Sequence, residues 1–520
     1  MSERSYIEAL LFYHRPMSDY RTVVVIFFRI KGGKSHFYLT KKGPELPFLP
    51  TSWSPIGSLV TPKDEELCSV LRGEFGDMAP DMLNRLTALR LVFERNLFNI
   101  KKIIDLKTHD NEHDLISIIE PEILNVWFHS MVPCGFQRLQ SGENTFNTNY
   151  FLFITPSDSK FRNMKLKRTS SVSVYPGLLM EEKAKWFEAE EIQKQYHNLD
   201  KLFSPSIAIL TKKITKEYKK PFEAAREMEQ KKGVSPRISF QLFPYTWRFS
   251  TPSPALPPYN TTNIYVIGNE KKYIIDPGSN EFEATKDLNI FIEKNEDTME
   301  GILITNPFPD HCNQALYFKD TFGLPMFTSV KNAKILEQEG FDFHSILEEG
   351  TKIHLGSNPE LNKESWNLET IDLPGSSEGS IGLWDSRGLL FSGISLHKGL
   401  TTTNASYPES YSEFLSSLKK MKKLNANFIL SGHGYIITDA NKTLSSNKQR
   451  IKKIKKKLTE ALKQGISEID SLTDIITTKD TVEWRFYMKR IVLSVLEHLV
   501  IKGRITKIGS DYIWKKNNNS

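Results

Sequence analysis

Two short apolar runs in the second half of the chain are each followed by side chains that bind metals. Asp310 and His311 are adjacent and follow the first run, and His433, between Gly432 and Gly434, follows the second. Runs of this length and composition are typical of buried β-strands, so the three side chains are predicted at strand ends, where functional groups become accessible. Two imidazoles and a carboxylate suit zinc. These residues are the candidate metal ligands.

An isolated Asp-His pair is more often a surface pair or a helix cap than a metal site, so the surrounding pattern matters. From residue 238 onward, short strand-like runs alternate with helical ones, which is typical of an α/β domain. Two further Gly-bearing strand ends lie between the candidate ligands, at residues 374–377 and 391–394. The order of these four segments therefore favours a single site that is assembled from several strand ends.

The four segments together resemble the metallo-β-lactamase superfamily and, within it, the β-lactamase-like protein 2 group, over about residues 238–516. The family pattern is Thr-His-x-His-x-Asp-His, then Pro-Gly-His-Thr, then Phe-Ser-Gly-Asp, then Gly-His-Gly. The corresponding segments here read TNPFPDH (305–311), PGSS (374–377), FSGI (391–394) and GHG (432–434). The resemblance implies an αββα sandwich.

The same resemblance implies that most metal ligands have been replaced. The three histidines that hold the family's first zinc correspond to Asn306, Phe308 and Ser376, and the bridging aspartate corresponds to Ile394. None of these four is a usual zinc ligand, and Phe308 cannot coordinate at all. The two-metal mechanism of the family is therefore not expected to operate as usual.

Asp310, His311 and His433 would be what remains of the second zinc site, with room for at most one zinc ion. No catalytic residue is assigned, except that Asp310 would take that role in an active enzyme. Three alternatives stay open for this cluster: hydrogen-bonded structural residues without a metal, a single weakly held zinc ion, or another ion or ligand. Two function classes stay open. One is a non-catalytic binding or scaffold protein derived from a hydrolase; the other is a zinc-dependent hydrolase, endoribonuclease or thioesterase-like, that uses a single ion.

The C-terminal segment combines a basic helix with a small module. Residues 448–463 hold eight Lys or Arg among apolar residues at helical spacing, which predicts an amphipathic helix. Its basic face is either simply solvated or a surface for RNA or an acidic partner. Beyond it, a helix over residues 491–502, a stop at Gly503 and two short strands are similar to a winged-helix module. The group that the chain resembles is regarded as RNA-cleaving, so the resemblance suggests an RNA-binding surface on this module. The other interpretation is that the module serves only for packing.

The first half resembles a degenerate Nudix domain of the long-insert type that acts on coenzyme A derivatives. Strand-like runs at residues 23–28 and 36–39 precede a helical segment over about residues 79–95. A working Nudix helix presents Arg-Glu-x-x-Glu-Glu, and only Arg90 and Glu94 fit that pattern here. Leu91 and Arg95 replace two carboxylates and Leu97 replaces the glycine, so magnesium-dependent Nudix chemistry is not expected. An Arg/Glu pair four residues apart is more often a surface helix pair. Whether the domain binds a nucleotide or a coenzyme A derivative stays open.

Composition sets the remaining limits. The 520 residues divide by pattern into a Nudix-like domain (1–210), a basic linker (211–237), a metallo-β-lactamase-like domain (238–445) and a basic helix with the winged-helix-like tail (446–520). Three widely spaced cysteines indicate a reducing compartment and no Cys-based zinc site. No apolar run reaches about 18 residues, and the first twenty residues lack a secretory pattern. A cytoplasmic location is expected, with mitochondria as the alternative.

Overall fold

The computed structural model describes thirteen stretches of the chain, and all structural statements refer to them: residues 19–42, 51–94, 121–141, 144–154, 183–216, 220–230, 239–252, 261–279, 285–358, 365–399, 401, 407–477 and 482–515. The chain divides into two compact units, Met1–Ile238 and Ser239–Ser520. Within the described stretches, no helix has the length and apolar composition that a bilayer-spanning segment needs. Arg95 and Leu97, which the Nudix comparison used, lie outside them.

The first unit is built on one mixed sheet. Its strands are β1 (Asp19–Lys31), β2 (Lys34–Lys41), β3 (Trp53–Ser54), β4 (Ile56–Leu59), β5 (Met131–Ser141), β6 (Asn144–Ile154) and β7 (Lys183–Glu188). The order is β3-β2-β1-β6-β5, with β4 also paired to β1 and β7 to β2. The β1–β6 pair is parallel, and the other pairs are antiparallel.

Helices cover both faces of this sheet. They are α1 (Pro62–Phe75), α2 (Met82–Glu94), α3 (Pro121–Ser130), α4 (Ala189–His197), α5 (Pro205–Thr215) and α6 (Pro221–Gln230). Val25 and Phe27 of β1 join the core formed with α1, α2 and α3. Ile26 and Phe28 join the core formed with α4, α5 and α6. Successive strand residues point to opposite faces, so one apolar run supplies two cores and makes an α/β/α sandwich.

The expected basic linker over residues 211–237 contains packed structure. The end of α5 and the whole of α6 lie in this range, and Ala224 and Ala225 are buried in the core of the first unit. This small apolar face is hard to predict from the sequence, because two alanines among Glu and Arg residues give only a weak helical pattern.

Arg90 is buried, which corrects the expectation of a surface pair with Glu94. Its side chain is 1% exposed and donates to both oxygens of Asp64, at 2.7 Å from Nε and 2.9 Å from Nη2. The same aspartate accepts from the backbone N–H of Thr61 at the start of α1, 2.8 Å away, and Arg90 also donates to the Leu59 carbonyl at 2.9 Å. The pair thus fixes α2 against α1, a contact between residues 26 positions apart in the sequence.

The second unit contains two larger sheets. The first has the order β14-β13-β12-β11-β10-β9-β8 and the second β15-β16-β17-β18-β19, and a separate hairpin pairs β20 with β21. The strands are β8 (Ser239–Phe243), β9 (Thr246–Pro252), β10 (Thr261–Ile267), β11 (Lys272–Ile275), β12 (Met299–Leu303), β13 (Met326–Thr328), β14 (Ser345–Ile346), β15 (Lys352–His354), β16 (Asn367–Asp372), β17 (Ile381–Asp385), β18 (Leu389–Gly393), β19 (Phe428–Ser431), β20 (Ile505–Ile508) and β21 (Asp511–Trp514).

The two sheets pack face to face and helices cover their outer faces. Tyr265 of β10 contacts Phe391 of β18, and Phe243 of β8 contacts Phe428 of β19, with ring centroids 5.3 and 4.9 Å apart. Against the outer faces lie α7 (Lys286–Glu293), α8 (Pro309–Cys312), α9 (Ala315–Phe322) and α10 (Val330–Leu336) on one side, and α11 (Ser410–Leu424), α12 (Ala440–Lys463), α13 (Ile469–Ile476) and α14 (Val482–Ile501) on the other. The expected mixed α/β fold is confirmed.

The C-terminal segment shares its core with the second sheet. The predicted basic helix is confirmed as part of α12, and its inward residues Ile451, Ile454 and Leu458 are buried. The expected domain boundary between residues 445 and 446 falls inside this helix. Because Leu458 and Tyr512 belong to the same apolar cluster as the strands of the second sheet, no break in packing separates the tail from the sheets within the described residues. The predicted stop and hairpin are also observed, with Gly503 at φ 66° between α14 and β20.

Candidate metal centre

The structure brings Asp310, His311 and His433 together from the two sheets. Asp310 and His311 lie in the short helix α8 that follows β12, and His433 follows β19. Strand β10 joins the two sides, because the Asn263 backbone N–H donates to the carbonyl of Gly432 at 2.7 Å. One ligand atom from each of the three candidates lies within 4.8 Å of the others. Among the described residues, this is the one such group of His, Cys, Asp and Glu.

The three side chains meet through specific atoms. His433 Nε2 lies 2.8 Å from Asp310 Oδ2 and 3.1 Å from His311 Nε2. His311 Nε2 lies 4.0 Å from Asp310 Oδ2, and the two imidazole rings are nearly perpendicular, at 87°. His311 and His433 are almost fully buried, whereas the Asp310 side chain retains 14% exposure. The cluster therefore has one accessible member.

Each imidazole is held in place through its other nitrogen. His311 Nδ1 lies 2.8 Å from Asp276 Oδ2, and that carboxylate also accepts from the backbone N–H and hydroxyl of Thr305, at 2.7 and 2.6 Å. His433 Nδ1 lies 2.8 Å from the backbone carbonyl of Thr261. A carboxylate or carbonyl behind the distal nitrogen is the usual arrangement of a metal-binding histidine, because it orients the ring and fixes the tautomer.

These contacts have an electrostatic consequence. A carbonyl oxygen only accepts, so His433 carries its hydrogen on Nδ1. Both oxygens of the Asp276 carboxyl group accept from Thr305, so His311 donates to it and also carries its hydrogen on Nδ1. In the neutral rings both Nε2 atoms are then acceptors, and they converge on the Asp310 carboxylate, which also accepts. Three converging acceptors repel one another unless a positive charge lies among them, either an added proton or a metal ion. These three atoms can each give a lone pair to a metal, so together they fit one divalent ion such as zinc.

The local pKa shifts have the same origin. Burial disfavours the charged form of His311, but the carboxylates of Asp276 and Asp310 outweigh it and raise the pKa of His311. Burial also disfavours ionised Asp310, yet the neighbouring His311 and His433 hold the pKa of Asp310 well below its usual range. Asp310 is therefore ionised at neutral pH.

The residues at the four positions that correspond to the family's other zinc ligands have different surroundings. Buried Asn306 donates to the hydroxyl of Thr305 at 3.2 Å and accepts from the backbone N–H of Phe308 at 3.1 Å, so both ends of its amide are engaged locally. Ser376 is buried, with a hydroxyl that has no hydrogen-bond partner among the described residues. Phe308 and Ile394 are half-buried. The expectation of a single set of metal donors stays a prediction.

Sequence reasoning missed two residues at this site. Asp276, which orients His311, directly follows β11 and precedes a Pro-Gly turn, and that strand-end position was the available signal. His397 is buried and its ring stacks on His433, with centroids 5.4 Å apart and planes at 27°. Burial, followed by the charges of His433 and His311, lowers the pKa of His397 well below its usual value, so this imidazole is neutral. The position of His397, three residues after Ile394, belongs to no sequence motif that would have predicted its place at the site.

Comparison with known proteins finds a family model that matches part of the second unit. Residues 258–433 match the model of the metallo-beta-lactamase superfamily. The chain is 27% identical over 166 residues to Hydroxyacylglutathione hydrolase 1 of Vibrio vulnificus, covering 31% of this chain and 57% of that protein. It is 24% identical over 215 residues to the Beta-lactamase-like protein 2 homolog of Caenorhabditis elegans (41% and 68%). It is 28% identical over 195 residues to Hydroxyacylglutathione hydrolase GloC of Haemophilus influenzae (34% and 87%). The chain thus spans little more than half of the first of these relatives.

Solved structures with a similar arrangement include two bacterial proteins. A metallo-beta-lactamase family protein from Thermus thermophilus aligns with a TM-score of 0.42 and 18% identity, covering 53% of this chain and 100% of that one. A beta-lactamase domain protein from Burkholderia ambifaria aligns with a TM-score of 0.45 and 14% identity, covering 54% and 96%.

Proposed function

The chain carries a metallo-beta-lactamase superfamily domain over residues 258–433, and from that premise we propose a protein that binds one zinc ion and has lost two-ion hydrolysis. Asp310, His311 and His433 would hold the ion. The domain would then serve mainly as a binding or scaffold protein derived from a hydrolase. The proposal rests chiefly on the convergence of three hydrogen-bond acceptors on one point.

The surrounding residues support ion binding more than turnover. Asp276 and the Thr261 carbonyl orient the two rings, and Gly432 leaves room for one of them. A bound zinc ion would polarise a substrate oxygen or activate water. Ser376, Asn306 and Phe308 offer no imidazole for a second ion, and Ile394 offers no bridging carboxylate, so charge that develops during hydrolysis would be stabilised less than at a paired site.

A second candidate is a slow hydrolase that uses the single ion, with a thioester or RNA as substrate. Two observations favour it. Two of the relatives are named hydroxyacylglutathione hydrolases, and Asp310 is ionised, with an accessible edge that a substrate or water can reach. In this reading Asp310 would act as the base.

The remaining parts extend the proposal. The α/β/α sandwich of the first unit suits a Nudix-like ancestry without Nudix chemistry, since Arg90 is engaged with Asp64. Helix α14 with the β20–β21 hairpin suits a winged-helix-like module, and the outer face of α12 suits RNA or an acidic partner. Three buried cysteines that lie far apart in the sequence suit a reducing compartment. We therefore propose a cytoplasmic protein, with mitochondria as the alternative.

Metal content tests the ion site directly. After zinc loading and desalting, mass spectrometry of the full chain should find about one zinc per protein, because one set of donors is present. His433→Ala should reduce this to near zero, since two remaining ligands hold an ion weakly. His354→Ala is the matched control, because that histidine is exposed on β15 and its ring bonds the Asn367 side chain, and it should retain the zinc. Two tightly bound ions per chain, or no zinc in the unmodified protein, would contradict the proposal.

Turnover separates the two candidates. Zinc-loaded protein should show little hydrolysis of RNA, thioester or lactam substrates. Robust turnover that His433→Ala abolishes and His354→Ala preserves would instead establish the single-ion hydrolase.

A further inference from the structure

A half-buried lysine lies on the inner edge of α12, away from the exposed basic face. Lys455 Nζ is 3.1 Å from His498 Nε2 on α14 and 5.2 Å from the centre of the Tyr411 ring on α11. His498 is 8% exposed, and its ring lies 4.4 Å from that of Tyr411. Three helices thus converge on one ammonium group.

More positive charge surrounds this lysine. Lys452 precedes it by three residues on the same helix, Lys502 follows His498 by four, and Arg504 leads into β20. Burial, followed by the charges of Lys502, Arg504 and Lys452, lowers the pKa of Lys455. Burial, with Lys455 and Lys502, lowers the pKa of His498 to about 4. Among the described residues, no carboxylate contributes to the pKa shift of either side chain.

Neighbouring cations are arranged differently. Lys456 pairs with Glu460 at 3.9 Å, and Lys507 pairs with Glu497 at 3.5 Å. Within the described residues, no carboxylate forms an ion pair with Lys455. Crowding several exposed cations around a partly buried ammonium without a counter-charge is unfavourable, because the ammonium loses hydration and its neighbours repel it. A bound anion would offset both effects.

We propose that Lys452, Lys455, His498, Lys502 and Arg504 form a binding site for a phosphoryl group. Two elements of the site favour this anion: ammonium groups that act as point charges from several directions, and a guanidinium that donates two hydrogen bonds in one plane. The phosphoryl group comes either from an RNA strand or from a small phosphate-bearing molecule. The site shares no residue with the metal centre and does not depend on the function proposed for that centre.

Inorganic phosphate is the first probe. It is titrated into the full-length protein at constant ionic strength, with binding followed by calorimetry and by the ring signals of selectively labelled His498. Binding should saturate, and Lys455→Gln should weaken it about tenfold or more, because a charge-assisted contact is lost. Lys456→Gln, which removes a cation of the same helix that is paired with Glu460, should leave the affinity unchanged.

Two measurements distinguish a loss of phosphate binding from a loss of folding. Thermal midpoints of both variants are compared with the unmodified protein, and Lys455→Arg, which keeps the charge, should retain most of the affinity. The proposal is overturned if phosphate does not saturate a site, or if folded Lys455→Gln binds it as well as Lys456→Gln does. Zinc-loaded and chelator-treated protein should give the same affinity, so a failure here is distinct from a failure at the metal centre.

A competition arm identifies the source of the phosphoryl group. A single-stranded RNA without a terminal phosphate is added to protein loaded with inorganic phosphate. If the RNA displaces phosphate and His498 reports the exchange, the site takes a backbone phosphate, and RNA affinity should fall with salt as counterions are released. If the phosphate signal is unaffected while phosphate itself saturates, the site takes a small phosphate-bearing molecule.

Discussion

Replacing Arg90 with methionine should lower the free energy of unfolding of the first unit by about 3–5 kcal/mol. The substitution keeps an unbranched apolar stem but removes both hydrogen bonds to Asp64. That carboxylate is 0% exposed, so it would be left buried without its counter-charge. The measurement is chemical denaturation of the full chain, followed by a probe in the first unit.

An exposed pair on the same unit provides the control. Arg72 Nε lies 2.7 Å from Asp77 Oδ1, and these side chains are 53% and 70% exposed. Arg72→Met should therefore change the free energy of unfolding far less than Arg90→Met does, because water solvates both charges. If Arg90→Met costs no more than Arg72→Met, the buried pair does not hold α2 against α1 in the way that its geometry indicates.

The same pair makes the first unit sensitive to acid. Burial disfavours ionised Asp64, but the hydrogen bond and charge of Arg90 outweigh it and lower the pKa of Asp64. A carboxyl whose pKa is lower in the folded state stabilises the fold above its unfolded pKa, about 3.9, and this stabilisation is lost as the pH falls through the folded value. Denaturation at pH 7 and at pH 3 should show this loss, and Arg90→Met should remove most of it.

Replacing Gly432 with alanine should weaken zinc binding by about 10- to 100-fold, the range found when the groups that support a metal ligand are altered. A Cβ at this position would lie 2.4 Å from His311 Cε1, so the ring must move. His311 is 0% exposed and held at Nδ1 by Asp276, which leaves it little space. Zinc affinity is measured by competition with a coloured chelator, beside the thermal midpoint.

Gly73→Ala is the matched control for this substitution. A Cβ on Gly73, within α1, meets no atom within 4 Å, and alanine is favoured over glycine in a helix. It should leave zinc affinity unchanged and maintain or raise the thermal midpoint. If Gly432→Ala binds zinc as tightly as Gly73→Ala, with the same stability, the close approach of residue 432 to the ring of His311 does not confine that ring.

The sequence alone determined the features that depend on local pattern. The continuous apolar run of residues 23–28 predicted a strand, helical spacing of Ile451, Ile454 and Leu458 predicted an amphipathic helix, and Gly503 predicted the helix end. The order of four strand-end segments predicted that Asp310, His311 and His433 come together. Such features follow from neighbouring residues, because backbone hydrogen bonding and a buried face impose a fixed period on the chain.

Only the tertiary structure decided which distant groups meet. It placed Asp276 behind His311, the Thr261 carbonyl behind His433, and His397 against the same ring, and it joined Arg90 to Asp64 in place of a surface contact. It also brought Lys455 from α12 against His498 from α14. These contacts join residues far apart in sequence or involve backbone carbonyls, which carry no residue identity. The charge balance of a buried site therefore appears only when the sheets and helices have packed, because desolvation and Coulomb interactions depend on distance in space.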